Sequence, residues 1–352
     1  MRTLVVPALC MCLLSIPASA QSTEGAAAAA QAAATRPPAT GADGTADALE
    51  AAPEQIRVVA QRPGPGLWKV SKGEHVLWVF GTYAPLPKDI QWRSQQVETA
   101  IRNSQEYLMP PQASAKPGFF KAITLLPSMI GIRKNPDGAT LRDVLPAEDY
   151  ARWSSMKAKY LPDNDDVERE RPIFAADVLT QAARRQAGLS NDNAVRKQMH
   201  ELIKKNKLKE TSSTFELPMD NARAVVKNFK KSTIGDAACL AQTMATLEHD
   251  IAAASARANA WAKGDMDEMR KLDFSSREQA CFGSVMNSAT FDAEPGFRNM
   301  KEHAHAKWVV SAEQALATNA STFAMLSIGD ILDPKGVIAV LAAKGYQVDA
   351  PD

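Results

Sequence analysis

The stretch Leu67-Trp68-Lys69-Val70-Ser71-Lys72-Gly73-Glu74-His75-Val76-Leu77-Trp78-Val79-Phe80-Gly81-Thr82-Tyr83-Ala84 decides the fold class. Leu67 to Val70 reads as one strand, Ser71 to Glu74 as a turn, and His75 to Tyr83 as a second strand rich in Val, Leu, Trp and Phe. A loop with two prolines follows. Ser94 stands at the N-cap position of a helix over Gln95 to Arg102, with Val97, Ala100 and Ile101 on its inner face. Glu106 to Met109 reads as a short buried strand stopped by Pro110-Pro111.

The far end of the chain repeats this alternation. Thr322 to Leu326 is a strand, and Lys335 to Ala343 a helix with Val337, Val340 and Leu341 turned inward. Gly345 ends that helix, and Tyr346-Gln347-Val348 is the last strand. Between the two ends, residues 112–316 read as overwhelmingly helical. One helix passes through Pro172, Phe174 and Leu179 to Gly188, another starts at Asn191 or Asp192, and the longest runs from Gly235 to Ala262. A short strand is expected at Thr211 to Phe215. Strands at both ends with helices between them define an α/β (α+β) fold. The expectation is one central mixed sheet built from N- and C-terminal strands, carrying a large helical insertion.

The chain opens with a targeting pattern. Arg2 precedes an apolar run from Thr3 to Ile16, and Ala18-Ser19-Ala20 sets small residues before Gln21, so residues 1–20 read as a cleaved secretory signal. The run is shorter than the ~20 residues that cross a bilayer, so no transmembrane span is expected after cleavage. Residues 21–55 are Ala-rich, interrupted by Pro37-Pro38, with almost nothing to bury, and read as a disordered tether. Residues 56–352 then form the folded domain. This layout implies a periplasmic or secreted protein. The formal charge of +1 argues against nucleic acid as a partner. Arg196 to Lys231 carries ten basic residues against four acidic ones, and reads as the wet face of helices. Cys239 and Cys281 remain after processing and form a candidate disulfide between two helices in an oxidising compartment.

The ordered motifs resemble the TraB/PrgY/GumN family, which includes Tiki-type membrane proteases and is distantly similar to erythromycin esterases. The family's opening strand corresponds to Leu67-Trp68-Lys69-Val70, and its Gly-Thr-x-His loop to Gly81-Thr82-Tyr83-Ala84. Leu86-Pro87, Trp92-Arg93-Ser94, Trp261-Ala262-Lys263-Gly264-Asp265 and Arg298-Asn299 match further elements in order. The closing Gly-x-x-His-Leu element corresponds to Ser327-Ile328-Gly329-Asp330-Ile331, followed by Gly336 and Gly345-Tyr346. The resemblance implies a hydrolase site at the strand ends, gathered around a divalent metal or an activated water.

The departures fall on that chemistry. Ala84 and Asp330 stand where the family has histidine, and the acid expected after the third strand is replaced near Pro110. A catalytic zinc takes three protein ligands and leaves one position open. Ala84 offers no donor, so no bound metal or other cofactor is expected. Gly81, Tyr83, Ala84, Arg298, Asn299 and Asp330 are therefore vestigial-site positions, with no confident catalytic residue among them.

The implied function is a catalytically degenerate envelope protein that binds a peptide or envelope component. Two alternatives stay open: a hydrolase or peptidase rebuilt around Asp330, Tyr83 and Arg298, and a structural envelope protein. His303 and His305 are two apart on an expected helix, so they diverge and read as solvated surface groups. The apolar stretch Gly118 to Ile132 reads as a buried helix. Oligomeric state is not legible.

Overall fold

A computed structural model describes residues 64–115, 125, 127–217, 221–231, 236–271 and 299–351. The signal, the tether, Cys281, Arg298 and most of the apolar stretch 118–132 lie outside the described residues. Two residues of that stretch that are described, Met129 and Ile130, are exposed rather than buried.

Strands β1 (Leu67–Lys72) and β2 (His75–Thr82) form the expected hairpin, with Lys72 paired to His75 across a two-residue turn. The short β3 (Leu86–Pro87) precedes α1 (Gln95–Arg102), whose buried face is Val97, Ala100 and Ile101. Ser94 sits at the N-cap of α1, but its hydroxyl donates to the Glu98 carboxylate instead of capping a backbone amide. β4 (Glu106–Leu108) is fully buried and β5 (Ala113–Ala115) follows the two prolines.

The middle of the chain is helical with strand interruptions. In order it holds α2 (Leu141–Val144), α3 (Ala147–Tyr160), α4 (Pro172–Gln186), β6 (Leu189–Ser190) and α5 (Ala194–Lys205). Then come β7 (Lys209–Thr211), β8 (Phe215–Leu217), α6 (Ala222–Lys231), α7 (Asp236–Lys263) and α8 (Met266–Arg270). The single strand expected at Thr211 to Phe215 is thus two strands flanking that window. The cap of α5 is Asn193, whose side chain accepts from the Arg196 amide, one or two residues later than expected.

The C-terminal part comprises α9 (Met300–Thr318), β9 (Ser321–Ser327), α10 (Ile328–Leu332), α11 (Val337–Ala343) and β10 (Gln347–Asp349). In α11 the inward residues are Val337, Ile338 and Leu341, and Val340 is exposed. The helix begins two residues later than expected, at the Gly336 cap, and the phase of its apolar stripe moves with it.

The principal sheet is mixed, in the order β10-β1-β2-β9-β4-β7. β10 pairs antiparallel with β1, so the last strand closes against the first. β2, β9, β4 and β7 run parallel, with Gly81 opposite Leu326, Thr82 opposite Ser327, and Leu108 opposite Ala324. Their carboxyl ends therefore share one edge, where open parallel sheets place ligands. The expectation of one sheet built from both ends holds, but β7 also joins it from within the helical middle.

Apolar burial divides into two clusters. One surrounds the sheet and includes Trp68, Phe80, Tyr107, Trp261, Trp308 and Phe323. The other lies among α3, α4 and the first half of α7, around Trp153, Leu179 and Leu240. α7 contributes Leu240, Met244 and Leu247 to the second cluster and Ala258, Trp261 and Ala262 to the first. A buried pair of Arg171 and Asp236 ties the start of α4 to the start of α7 (Nε to Oδ2, 2.7 Å). Among the described residues no helix is long and apolar enough to cross a membrane.

Candidate functional site at the carboxyl edge of the sheet

Gly81, next to last in β2, has no room for a side chain. A Cβ there would lie 2.6 Å from the Trp68 ring and 2.9 Å from Ile328 Cδ1. The bare backbone lets the Trp261 indole donate its Nε1–H to the Gly81 carbonyl at 2.7 Å. Trp92 stacks on Phe80 with centroids 5.4 Å apart and lies 6.1 Å from Trp261. Three of the motifs read from the sequence thus meet in one packed aromatic group beneath the site, and their role is to hold the loop rather than to react.

Thr82 donates its hydroxyl to the Leu326 carbonyl at 2.9 Å, locking the ends of β2 and β9 together. Tyr83 is half-buried against the main core, and Ala84 is exposed, joined to Pro85 by a cis peptide bond. The position where the resemblance led to an expectation of histidine is thus an exposed methyl group.

On the neighbouring strand, Ser327 is the N-cap of α10 and its Oγ accepts from the Asp330 amide at 3.0 Å. The same hydroxyl donates to Asp330 Oδ2 at 2.7 Å. The other carboxylate oxygen, Oδ1, stands 3.1 Å from Lys301 Nζ and 3.4 Å from His305 Nε2. Lys301 and His305 are four apart on α9, so both project from one face of that helix toward the loop. The side chain of His305 is 15% exposed and that of Asp330 20%, whereas Lys301 at 59% keeps most of its length in water. Burial alone would push the Asp330 carboxyl up. The His305 and Ser327 contacts and the Lys301 ammonium outweigh it and hold the group well below the usual carboxylate range.

Two further contacts fix this arrangement. The Trp308 indole donates to the Met109 carbonyl at 3.0 Å, seating α9 on the end of β4. Gly336 lies so close to the loop that a Cβ would meet the Asp330 carbonyl oxygen at 2.1 Å. Asn299 caps α9 in the left-handed conformation, with φ 56°. Its carbonyl accepts from the His303 amide, and its side chain makes no cap hydrogen bond.

The sheet edge brings the loops of Gly81 to Ala84 and Ser327 to Asp330 together, with the end of β4 beside them. The expectation of a solvated pair of histidines needs correction. His303 is exposed, but its ring stacks on Phe215 with centroids 4.9 Å apart, and His305 is drawn into the Asp330 cluster. His305 and Lys301 are the site residues that sequence reading missed. The signal available was their i, i+4 spacing, which lay hidden behind the more conspicuous His-x-His.

The order of contacts limits the chemistry. Ser327 bonds to the carboxylate and not to the imidazole, so it does not stand in the nucleophile–base–acid order of a serine triad. Among the described residues no group of three or more His, Cys, Asp and Glu side chains stands together as a metal cage. With Ala84 offering no donor and Asp330 held by three partners, the described residues do not fit the divalent ion that the family resemblance implies.

These features define an α/β protein whose parallel strands end together at one edge of a mixed sheet. The chain belongs to the TraB/PrgY/gumN family, whose model matches residues 66–350. None of the curated proteins and none of the solved structures matches it.

Proposed function

We propose that this chain is an exported binding protein of the bacterial envelope, in which the metal-dependent hydrolysis implied by the family resemblance has been lost. One observation carries the reading: the Asp330 carboxylate is already engaged by Ser327, Lys301 and His305, while the partner loop presents only the Ala84 methyl. An acid held ionised and saturated is a poor general acid, and too few donors remain to grip an ion. Its ligand is a peptide or envelope component laid along the sheet edge. Residues 1–20 are removed on export, 21–55 act as a tether, and 56–352 form the family domain. Cys239, buried on α7, pairs with Cys281 in the oxidising compartment.

Metal analysis of the purified exported protein, combined with an unbiased peptidase and esterase screen, tests the central claim. No stoichiometric divalent ion and no turnover are expected; a tightly held metal would overturn it. N-terminal sequencing should begin at Gln21, and an intact Met1 on the mature product would remove the export step. The mass of the non-reduced protein should be lower than that of the reduced form by two hydrogens.

A second reading, a rebuilt hydrolase, gains support from the placement of His305. Asp330 orients one ring nitrogen, which leaves the other to act as a base toward a water at the sheet edge. Turnover that disappears in both Asp330→Asn and His305→Gln would establish this reading over the binding one. Tyr83 is close in sequence to the same edge, and Arg298 lies outside the described residues.

A further inference from the structure

The turn 129–132 stands clear of the rest of the protein. The Met129 carbonyl accepts from the Ile132 amide at 3.1 Å, and Gly131 closes the turn with a φ of 73°. A Cβ on Gly131 would meet nothing within 4 Å, so the tip faces open space. Beside it Ile130 is 75% exposed and Met129 44%, although both belong to the residue types most often buried. Lys230, near the end of α6, fastens this turn: its Nζ donates to the Ile130 carbonyl at 2.7 Å and the Ser128 carbonyl at 3.3 Å. Those neutral acceptors leave its positive charge uncompensated. α6 buries Ala222, Val225 and Val226 and turns Arg223, Lys227 and Lys231 to solvent. These three are four apart, so they follow one row along the helix. The helix contains no acidic residue, and Lys227 and Lys231 form no ion pair among the described residues. Glu170, an acid near the turn, is already taken by Arg133 at 2.8 Å.

We propose that α6 and the turn 129–132 form a docking surface for an anionic phospholipid bilayer. Lys227 and Lys231 meet headgroup phosphates, while Ile130 and Met129 dip into the boundary with the acyl chains. An apolar tip fastened beside a row of cations matches the layering of such a bilayer, with negative charge outermost and hydrocarbon beneath. A soluble acidic partner would answer the lysines but not the tip. The attachment is to a surface and spans nothing. It is independent of the Asp330 cluster and goes beyond the function proposed above.

The test is sedimentation of the full exported chain with vesicles of phosphatidylcholine alone or of an equal mixture with phosphatidylglycerol. Wild type should pellet with the anionic vesicles, stay in solution with the neutral ones, and be released by added salt. Lys227→Gln and Lys231→Gln should each weaken the partition about fivefold, the loss expected for one basic residue near a charged bilayer. Ile130→Ser should weaken it at least about fivefold while leaving the salt response in place. Lys230 is kept, because it holds the turn. All three substituted positions are exposed, so the thermal midpoints should match wild type, which separates a lost surface from a lost fold. Ile130→Trp supplies a gain: it should bind at least as tightly and show quenching by brominated lipid beyond that of wild type. No pelleting with the anionic vesicles, or pelleting that ignores phosphatidylglycerol, overturns the proposal. So does pelleting left unchanged by either the lysine variants or Ile130→Ser. Soluble polyglutamate that displaces the vesicles, and binds Ile130→Ser as well as wild type, would assign the face to an acidic polypeptide and overturn it too.

Discussion

At Asp330 a hydroxyl, an ammonium and an imidazole converge on one carboxylate, and a pH dependence follows. Its folded-state pKa lies below the ordinary carboxylate value of about 3.9. The stabilisation is therefore complete above that value, and is lost as pH falls through it toward the folded-state value. Asp330→Asn should cost about 1.5–3 kcal/mol at neutral pH, the usual range for hydrogen bonds to a charged group. The gap to wild type should narrow as pH drops below about 4. Denaturant unfolding at stepped pH measures this, and a gap that stays constant would show that the native state does not hold the acid ionised. The sequence made Asp330 legible as a strand-end acid, since Ser327-Ile328-Gly329-Asp330 follows a plain apolar run. His305 and Lys301 were not legible, because nothing local says that a helix ending at Thr318 leans its opening turns back over a loop beyond the next strand. Only the tertiary position of α9, pinned by Trp308, supplies that fact.

At the scale of elements, boundaries were clearest where an apolar stripe and a stop signal coincide. The helix over Gln95 to Arg102, the longest helix and the β9 strand all fall within a residue or two of their sequence readings. β7 escaped because Lys209-Glu210-Thr211 has no apolar residue to announce a strand; it is an edge strand that belongs to the sheet through backbone pairing with β4. The motif residue Trp261 was visible, but its part as an indole donor to the Gly81 carbonyl was not. That part is testable. Trp261→Phe keeps a ring against Phe80 and Trp92 but removes the buried bond to the Gly81 carbonyl. It should cost about 1–3 kcal/mol, the penalty for leaving a buried polar group unmatched. Trp308→Phe should loosen α9 in the same way and increase amide exchange over Met300 to Trp308. Unchanged stability in Trp261→Phe would mean that the indole acts by packing alone.

Across the whole molecule, α7 is the element that belongs to both apolar clusters, with Leu240, Met244 and Leu247 in one and Ala258, Trp261 and Ala262 in the other. The buried Arg171–Asp236 pair anchors its start, and the Trp261 indole anchors its end to the Gly81 loop. A continuous backbone ladder between those anchors should make the helical cluster and the sheet cluster melt together. Ala252 lies between the two anchors and is exposed, so its side chain can be changed without touching either core. Proline there removes the hydrogen bond to the Glu248 carbonyl and clashes with it, a break worth about 3 kcal/mol or more. Glycine at the same position costs only about 1 kcal/mol and leaves the ladder intact. Ala252→Gly should therefore lower the midpoint slightly while keeping one transition. Ala252→Pro should separate the loss of the helical cluster from the loss of the sheet, seen as far-ultraviolet signal changing ahead of the fluorescence of Trp68, Trp92 and Trp261. If Ala252→Pro unfolds in one sharp step at the wild-type midpoint, α7 does not couple the two cores. The sheet would then hold its loops in place without help from the helices.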